Sequence, residues 1–170
     1  MPTTHTLPKG WYIDYQPSAI SSNDLALAAL RQSVGKAEGK CFQVGEQTKG
    51  RGRRGKQWVS KSGDGLYLSI ILCPETSSDT WSGLSFVASL AVYKAVLEFI
   101  EDAHILRFSL KWPNDILYDN RKLAGILLEV LLAFSSRAER GFCVWTFNCS
   151  IDFYSYLVAF SRLGVTKYIR

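Results

Sequence analysis

The spacing of hydrophobic residues predicts two helices in the first part of the chain. Between about Thr80 and Glu101, apolar residues recur three or four positions apart and form one stripe: Leu84, Val87, Ala88, Ala91, Val92, Ala95, Val96 and Phe99. A shorter stretch with the same period predicts a helix over about residues 24–34. Ser22 and Asn23 are its candidate N-caps, because their short polar side chains can accept hydrogen bonds from the first turn.

Shorter segments between and after these helices predict β-strands. Residues 41–47 are typical of a short strand, and residues 66–72 are dense in β-branched and aromatic residues. Residues 105–112 predict a further strand, and residues 115–130 predict two strands joined by an Asp-Asn turn at 119–120. Because strands and helices mix without strict alternation, we predict the α+β class, with a mixed β-sheet and helices on one face.

The pattern changes after Glu129. Residues 131–170 are rich in aromatic residues and follow neither a helical nor a strand period. Only one charged residue, Asp152, lies between Arg140 and Arg162, so a membrane span fits by length. Asp152 argues against it, since a carboxylate at the centre of a span costs about 2.5–3.5 kcal/mol to insert. We therefore predict one folded domain over residues 1–130, a divergent tail over residues 131–170 and no membrane association.

The composition fits a single soluble domain with one concentrated positive charge. Hydrophobic residues make up 47% of the 170 residues and charged residues 21%. The net charge is +5, and six basic residues lie within Lys49 to Lys61, which favours a defined anionic ligand over a generally basic surface. The four cysteines lack the CxxC spacing of a zinc site. The N-terminal residues contain no apolar run, which predicts a cytoplasmic protein.

Arginine and glycine alternate in the basic segment GRGRRG, residues 50–55. Arginine pairs bidentately with phosphate or carboxylate oxygens, and glycine lets the main chain approach a ligand closely. Because its charges repel one another, we expect this loop to be mobile until an anion orders it. From the residues alone three interpretations stay open with comparable weight: a phosphate-binding loop, a nucleic-acid patch and an inert surface loop.

Two later segments place polar residues beside apolar strands. In KWPND, residues 111–115, Lys111 ends a strand and Asp115 follows a turn. In RKLAGILLE, residues 121–129, Lys122 enters an apolar strand and Gly125 allows close packing. Taken separately, each segment is more often an ordinary strand end than a functional site.

In this order, GRGRRG with Trp58, then KWPND, then RKLAGILLE resemble the catalytic domain of biotin protein ligases, the biotin–[acetyl-CoA-carboxylase] ligases. The segment SSN at 21–23 is similar to the family's Ser-Thr-Asn element, and Gln47 stands where the family has a glutamine. The resemblance covers residues 21 to about 129. It implies a class II biotin/lipoate protein ligase-like catalytic domain over residues 1–130 that is incomplete at its C-terminal end.

The resemblance also implies a reaction and its participants. Biotin and ATP would form biotinyl-5′-AMP and pyrophosphate, with Mg²⁺ associated with Asp115. Biotin would then pass to a lysine of the biotin carboxyl carrier protein of acetyl-CoA carboxylase or another biotin-dependent carboxylase. The catalytic residues carried over are Arg53, Lys122, Lys111 and Asp115. The residues expected to bind biotin and the adenylate are Ser21, Ser22, Asn23, Gln47, Gly50, Arg51, Gly52, Arg53, Arg54, Gly55, Trp58, Lys122 and Gly125.

The resemblance ends at about Glu129. Beyond it the family's Gly-x-Gly-x-Asn strand, adenine-packing loop and small β-barrel domain are not recognisable. A divergent tail that still completes the sheet and an altered C-terminus that leaves a catalytically impaired ligase are both consistent with this. A non-enzymatic nucleic-acid binder is a third interpretation. Because the first motif begins at Ser21, we expect no N-terminal helix-turn-helix domain and no operator binding, while pairing into a homodimer stays open.

Overall fold

The computed structural model of the chain describes residues 7–32, 36–74, 78–97, 107–135 and 138–149. Its strands are β1 (Tyr12–Gln16), β2 (Lys40–Val44), β3 (Gly50–Arg51), β4 (Gln57–Trp58), β5 (Leu66–Leu72), β6 (Phe108–Lys111), β7 (Asp115–Tyr118), β8 (Arg121–Ser135) and β9 (Ala138–Cys149). Its helices are α1 (Ser22–Gln32) and α2 (Leu84–Leu97), with short 3₁₀ turns at Arg53–Gly55 and Ser78–Gly83. Each predicted helix and strand has a counterpart here, although residues 33–34, 98–101 and 105–106 of those predictions lie outside the described residues.

Seven of the strands form one mixed sheet in the order β1-β2-β5-β9-β8-β7-β6. The pair β1 and β2 is parallel, and the other neighbouring pairs are antiparallel. The remaining pair, β3 and β4, forms a small ribbon that contains part of the basic loop. This arrangement confirms the predicted α+β class with a mixed sheet.

The two helices cover opposite faces of this sheet. In β5, Leu68 and Ile70 belong to the hydrophobic cluster that contains α2, whereas Ile71 packs with residues of α1. Since successive side chains of a strand point to opposite faces, α1 and α2 cannot lie on the same side. The structure therefore differs from the one-face arrangement that we expected. The cause is that β5 is buried at every position, so both of its faces need cover.

Helix α1 begins one residue after its cap, Ser21. The Ser21 hydroxyl accepts a hydrogen bond from the Asn23 amide at 3.1 Å, and its carbonyl accepts one from the Leu25 amide at 3.2 Å. The cap thus precedes the two candidates predicted from the sequence. As a result, Ser22 and Asn23 become the first residues of the helix, and both are fully buried against the sheet.

The hairpin between β7 and β8 forms as predicted, with φ angles of 48° at Asp119 and 61° at Asn120. Both values are left-handed, as a type I′ turn requires. Because glycine adopts these angles without crowding of its Cβ, Asn120→Gly should raise the free energy of unfolding by about 0.5 kcal/mol. Asn120→Val should lower it by about 1–2 kcal/mol. Equilibrium urea unfolding measures both changes. Unfolding transitions that coincide for the parent, Asn120→Gly and Asn120→Val would contradict this account of the turn.

Part of the predicted tail lies at the centre of the sheet. Strand β9, residues 138–149, pairs with β5 on one side and with β8 on the other. The sheet therefore includes a strand that the sequence pattern did not reveal, and residues 150–170 lie outside the described residues. The division of the chain at residue 130 stays a prediction. Among the described helices, none combines the length and apolar character needed to cross a membrane.

Candidate active site

The floor of the candidate site is formed by neighbouring residues of the central strands on the face that α1 covers. Asn148 of β9 pairs with Gly125 of β8, and Gly125 pairs with Asp115 of β7. In the next row, Thr146 of β9 pairs with Leu127 of β8. Because residues two apart on a strand share a face, the site rests on β7, β8 and β9 together.

One wall consists of polar side chains from α1 and from the segment after β2. The Gln47 carboxamide oxygen accepts hydrogen bonds from the Ser22 amide at 3.0 Å and the Ser22 hydroxyl at 3.3 Å. The Gln47 amide nitrogen donates to Asn148 Oδ1 at 2.9 Å. Together these contacts join the predicted residues Ser22 and Gln47 to the floor at Asn148, which sequence reasoning missed.

A second set of contacts joins α1 to the middle of the sheet. Asn23 Nδ2 donates to Thr146 Oγ1 at 2.7 Å, and the Thr146 and Ser69 hydroxyls lie 2.8 Å apart. Ser69 Oγ also donates to Ser22 Oγ at 2.9 Å. Buried polar groups are costly unless they are paired, so these mutual contacts stabilise a polar end of the site inside an otherwise apolar sheet.

The basic loop crosses the floor and is attached to it by Arg51. The Arg51 guanidinium donates to Asp24 at 2.9 Å and to Glu129 at 2.9 Å, and a weaker contact reaches Asn23 Oδ1 at 3.2 Å. These partners belong to α1 and β8, so one side chain connects the loop to both. Whether the rest of the loop is mobile without an anion stays a prediction.

Glycine is required where the loop returns on itself at Gly50. A Cβ atom at this position would lie 2.4 Å from the Trp58 carbonyl oxygen, which is far inside van der Waals contact. Beyond it, Gly52 donates its amide to the Lys56 carbonyl at 2.8 Å and closes the turn that contains Arg53 and Arg54. The alternation of glycine and arginine thus gives a tight ribbon with exposed guanidinium groups.

Arg53 reaches the opposite side of the site. Its Nη1 donates to Asn114 Oδ1 at 2.7 Å. Asn114 is held in turn by β8, since its amide group donates to the Ile126 carbonyl at 3.0 Å and its carbonyl accepts from the Ile126 amide at 2.9 Å. The GRGRRG and KWPND motifs, which are about sixty residues apart in the sequence, are therefore in direct contact in the structure.

The motif lysines lie next to one carboxylate at the edge of the floor. Lys122 Nζ is 2.8 Å from Asp115 Oδ1 and 5.3 Å from the centre of the Trp58 ring. Lys111 is the cross-strand partner of Asp115, so its side chain leaves the sheet on the same side. The absence of a side chain at Gly125 makes room for this group: a Cβ there would lie 3.1 Å from Lys122 Nζ and 3.2 Å from the Trp58 ring.

These walls enclose a cleft of about 620 Å³ between the loop and the sheet. It is lined by Thr48, Lys49, Gly50, Arg51, Gly52, Arg53, Arg54, Gly55, Lys56, Gln57, Leu127 and Glu129. Glu129 Oε2 and Trp58 Nε1 are buried and have no hydrogen-bond partner among the described residues. The cleft thus presents the cations of the basic loop to a ligand, with Glu129 beside them.

Of the residues that the sequence nominated, the structure joins Ser22, Asn23 and Gln47 at the polar end, with Ser21 as the cap of α1, and it places Arg51, Arg53, Trp58, Asp115, Lys122 and Gly125 around the loop and the floor. Lys111 is placed by its pairing with Asp115. The structure adds Ser69, Thr146 and Asn148 at the polar end, Asn114 under Arg53, and Asp24 with Glu129 around Arg51. A signal for Ser69 was present, because it is the single serine in the otherwise apolar and aromatic segment LYLSIIL. The functional roles assigned to the residues stay predictions.

The ion pairs of Arg51 predict how firmly the loop is held. Its side chain is 42% exposed and that of Glu129 27% exposed, so we expect each pair to contribute at most about 1 kcal/mol. Glu129→Gln should therefore raise the rate of limited tryptic cleavage after Arg53 and Arg54 about two- to five-fold. The exposed Glu38 supplies a control, Glu38→Gln, that should cleave like the parent. Identical loop cleavage in all three proteins would show that this pair does not hold the loop.

The fold and this site define the class of the molecule. The biotin protein ligase from Aquifex aeolicus, solved in complex with biotin and ATP, superposes with a TM-score of 0.68 at 23% sequence identity, covering 92% of this chain and 71% of that chain. At this identity the likeness establishes the fold alone: a biotin protein ligase-like catalytic domain.

The sequence comparisons establish the family. A sequence model of the Biotin/lipoate A/B protein ligase family matches residues 17–148, and the chain belongs to this family. The bifunctional ligase/repressor BirA of Bacillus spizizenii is 35% identical over 121 residues, which are 71% of this chain and 35% of that protein. The biotin–[acetyl-CoA-carboxylase] ligase of Paracoccus denitrificans is 39% identical over 101 residues, which are 59% of this chain and 41% of that protein. This chain thus spans less than half the length of either relative.

Proposed function

We propose that this chain carries the catalytic centre of a biotin protein ligase. In the first step a biotin carboxylate oxygen attacks the α-phosphorus of ATP, and the bond to pyrophosphate breaks. In the second step a lysine amine of a carrier protein attacks the activated carbonyl and AMP leaves. The observation that carries the proposal is that a buried polar end and a cation-lined cleft meet on one face of the sheet.

The polar end supports biotin as the acid that is activated. Ser22, Asn23, Gln47, Ser69, Thr146 and Asn148 are each at most 4% exposed. The ureido ring of biotin carries two N–H donors and one carbonyl acceptor, which match such groups. The dithiolane ring of lipoate is apolar and offers these groups no hydrogen-bond partner. We therefore assign this end to the ureido ring.

The cleft beside the polar end supports a nucleotide phosphate. In the transition state of the first step, negative charge spreads over the α-phosphate and the attacking carboxylate. Lys122 and Arg53 would face this charge from the sheet and from the loop, and Lys111 would add a second cation at the edge. Charges held in place before the reaction stabilise such a transition state most, because they need not reorganise.

The loop and its neighbours also suit a reactive intermediate. The mixed anhydride of biotin and AMP hydrolyses readily, so a cover of residues 50–55 would exclude water from it. Gly50 and Gly52 let the loop turn tightly on itself, while Arg51 anchors the loop to α1 and β8. Trp58 would form an apolar side of the same enclosure.

Mg²⁺ fits this arrangement only as an ion held mainly by the nucleotide. No group of three metal-ligating side chains occurs in the described parts of the chain. Asp115 is the candidate ligand, and Mg²⁺ commonly takes one or two carboxylates together with phosphate oxygens and water. When bound, the ion would neutralise phosphate charge. Asp115 meanwhile forms an ion pair with Lys122, which holds that lysine at the edge of the floor.

The acceptor, the assembly and the location are finer parts of the same proposal. The relative from Paracoccus denitrificans is named as a ligase for acetyl-CoA carboxylase, which makes the biotin carboxyl carrier protein of that enzyme, or of another biotin-dependent carboxylase, the acceptor to test first. We infer a cytoplasmic reaction, because the carrier proteins of such carboxylases meet the ligase inside the cell, and a homodimer is the assembly to test.

A single assay tests the function. The chain is incubated with biotin, Mg²⁺, ATP labelled at the α-phosphate and a biotin carboxyl carrier domain, and both pyrophosphate release and carrier biotinylation are measured. We expect both products, each dependent on biotin. A folded chain that yields neither would indicate an impaired ligase. Binding to oligonucleotides that weakens steeply with salt and ignores biotin would favour the nucleic-acid interpretation instead.

A further inference from the structure

The hydrogen bonds of the polar end run in one direction. Ser22 Oγ gives its only proton to Gln47, and Ser69 Oγ gives its own to Ser22. The contact of 2.8 Å between Ser69 and Thr146 must then use the Thr146 proton, because a hydroxyl has one donor. Thr146 in turn accepts from Asn23 Nδ2 at 2.7 Å. Every hydroxyl proton of the polar end is therefore committed to another protein group.

From this chain of contacts we propose that Thr146 determines how tightly the site binds biotin. The inference rests on the proposed function. The Thr146 hydroxyl occupies the hydrogen-bonding groups of Asn23 and Ser69 while the site is empty. A ureido ring that uses those groups has to replace the Thr146 hydroxyl as their partner. The Thr146 side chain therefore lowers the affinity for biotin and sets the free biotin concentration at which half of the sites are occupied.

The Thr146 side chain has no easy way to leave the site. It is 1% exposed, and its strand pairs with Ser69 of β5 on one side and with Leu127 of β8 on the other. A β-branched side chain on a strand has few χ1 rotamers. Its methyl and hydroxyl groups therefore stand permanently on the floor, whereas the floor at Gly125 carries no side chain. The floor therefore carries a fixed side chain where the polar ring of the ligand would lie.

Three substitutions separate the volume of this side chain from its hydrogen bonds. Thr146→Ala removes the hydroxyl and the methyl group, which frees Asn23 and Ser69 and opens space. Thr146→Val keeps the volume but breaks both hydrogen bonds. Thr146→Ser keeps a hydroxyl that can rotate, because serine is not β-branched. Titration calorimetry with biotin measures affinity, and thermal unfolding verifies that each protein is folded.

We expect Thr146→Ala to bind biotin about ten-fold more tightly than the parent. The parent loses about one neutral hydrogen bond of Thr146 when biotin binds, whereas the alanine variant has no such bond to lose. Thr146→Ser should gain about two- to three-fold, and Thr146→Val should bind no more tightly than the parent. A purely structural role would weaken all three. If the alanine variant does not fold, the biotin affinities of Thr146→Ser, the parent and Thr146→Val still test the proposal. A Thr146→Ser protein that binds biotin no more tightly than the parent would overturn it.

The outcomes distinguish this inference from the function on which it rests. If the parent and the alanine variant bind biotin equally, Thr146 does not control affinity, although the ligase function stands. If the parent fails to bind and the alanine variant binds, Thr146 blocks the site and the inference holds in its strongest form. If neither folded protein binds biotin, both the ligase function and this inference are wrong.

Discussion

Replacement of Lys122 by alanine is expected to slow adenylate formation about 30- to 1000-fold, which corresponds to about 2–4 kcal/mol of lost transition-state stabilisation. Lys122 Nζ lies 2.8 Å from Asp115 Oδ1 and 5.3 Å from the centre of the Trp58 ring, which holds its charge at the edge of the floor. Negative charge gathers there only as the carboxylate attacks the phosphate. The loss should therefore appear in the rate of biotin-dependent exchange of pyrophosphate into ATP, while biotin affinity measured by calorimetry changes little.

Two further variants serve as controls for this result. Lys122→Ala leaves the Asp115 carboxylate without its ion-pair partner, and an unpaired, partly buried charge could disturb the site by itself. The double variant Lys122→Ala with Asp115→Asn removes that charge and should be no faster than the single variant. Lys94→Ala removes an exposed lysine from α2, on the other face of the sheet, and should retain the parental rate. A folded Lys122→Ala protein within three-fold of the parent would rule out this role for Lys122.

Much of the fold could be predicted because several segments repeat one period clearly. The stripe of α2 and the apolar run of β5 each match a single type of element, and the Asp-Asn pair matches the turn between β7 and β8. The placement of the helices could not be read in this way. A strand with an almost continuous apolar run, such as β5, indicates that both faces are covered, but the sheet order determines which elements cover them.

Strand β9 was missed for a reason connected with the site. On its α1 face, Val144 packs with α1, but Thr146 and Asn148 are polar and point into the site. Its other face carries Phe147 and Cys149 in the α2 cluster. A central strand that contributes to a binding site thus loses the continuous apolar pattern by which such strands are recognised. Local rules fail most often where a segment serves function as well as packing.

The site was predicted more fully by its motifs than by its contacts. The basic loop was nominated because its residue types suit phosphates, whereas Lys122 and Gln47 were nominated through the resemblance to the biotin protein ligases. Their partners were not, since Glu129 and Asn114 become neighbours of the loop only through the antiparallel pairing of β7 with β8. Residue type therefore indicated which groups could act, and the sheet register determined which groups they meet.

Arg53→Gly is expected to release the adenylate before transfer and to raise biotinylation of lysines on unrelated proteins about ten-fold. Arg53 is the side chain that joins the loop to the KWPND turn, through a hydrogen bond of 2.7 Å to Asn114. A charge-assisted hydrogen bond at an exposed site contributes about 1–1.5 kcal/mol, which is about ten-fold in the population of the open loop. Glycine also removes the guanidinium that would hold the adenylate phosphate. Free biotinyl-AMP then reacts with any accessible amine.

The assay for Arg53→Gly compares biotin incorporated into a carrier domain with that incorporated into serum albumin in the same tube. Asn114→Ala removes the partner of Arg53 and keeps the guanidinium, so it should leak adenylate to a smaller extent if loop attachment matters. Lys56→Gly makes a similar change of charge and backbone in the same loop without the contact to Asn114, and it should remain specific for the carrier. Because an escaped anhydride would reach both acceptors, an Arg53→Gly protein with the parental ratio of carrier to albumin labelling would show that this loop does not retain the intermediate.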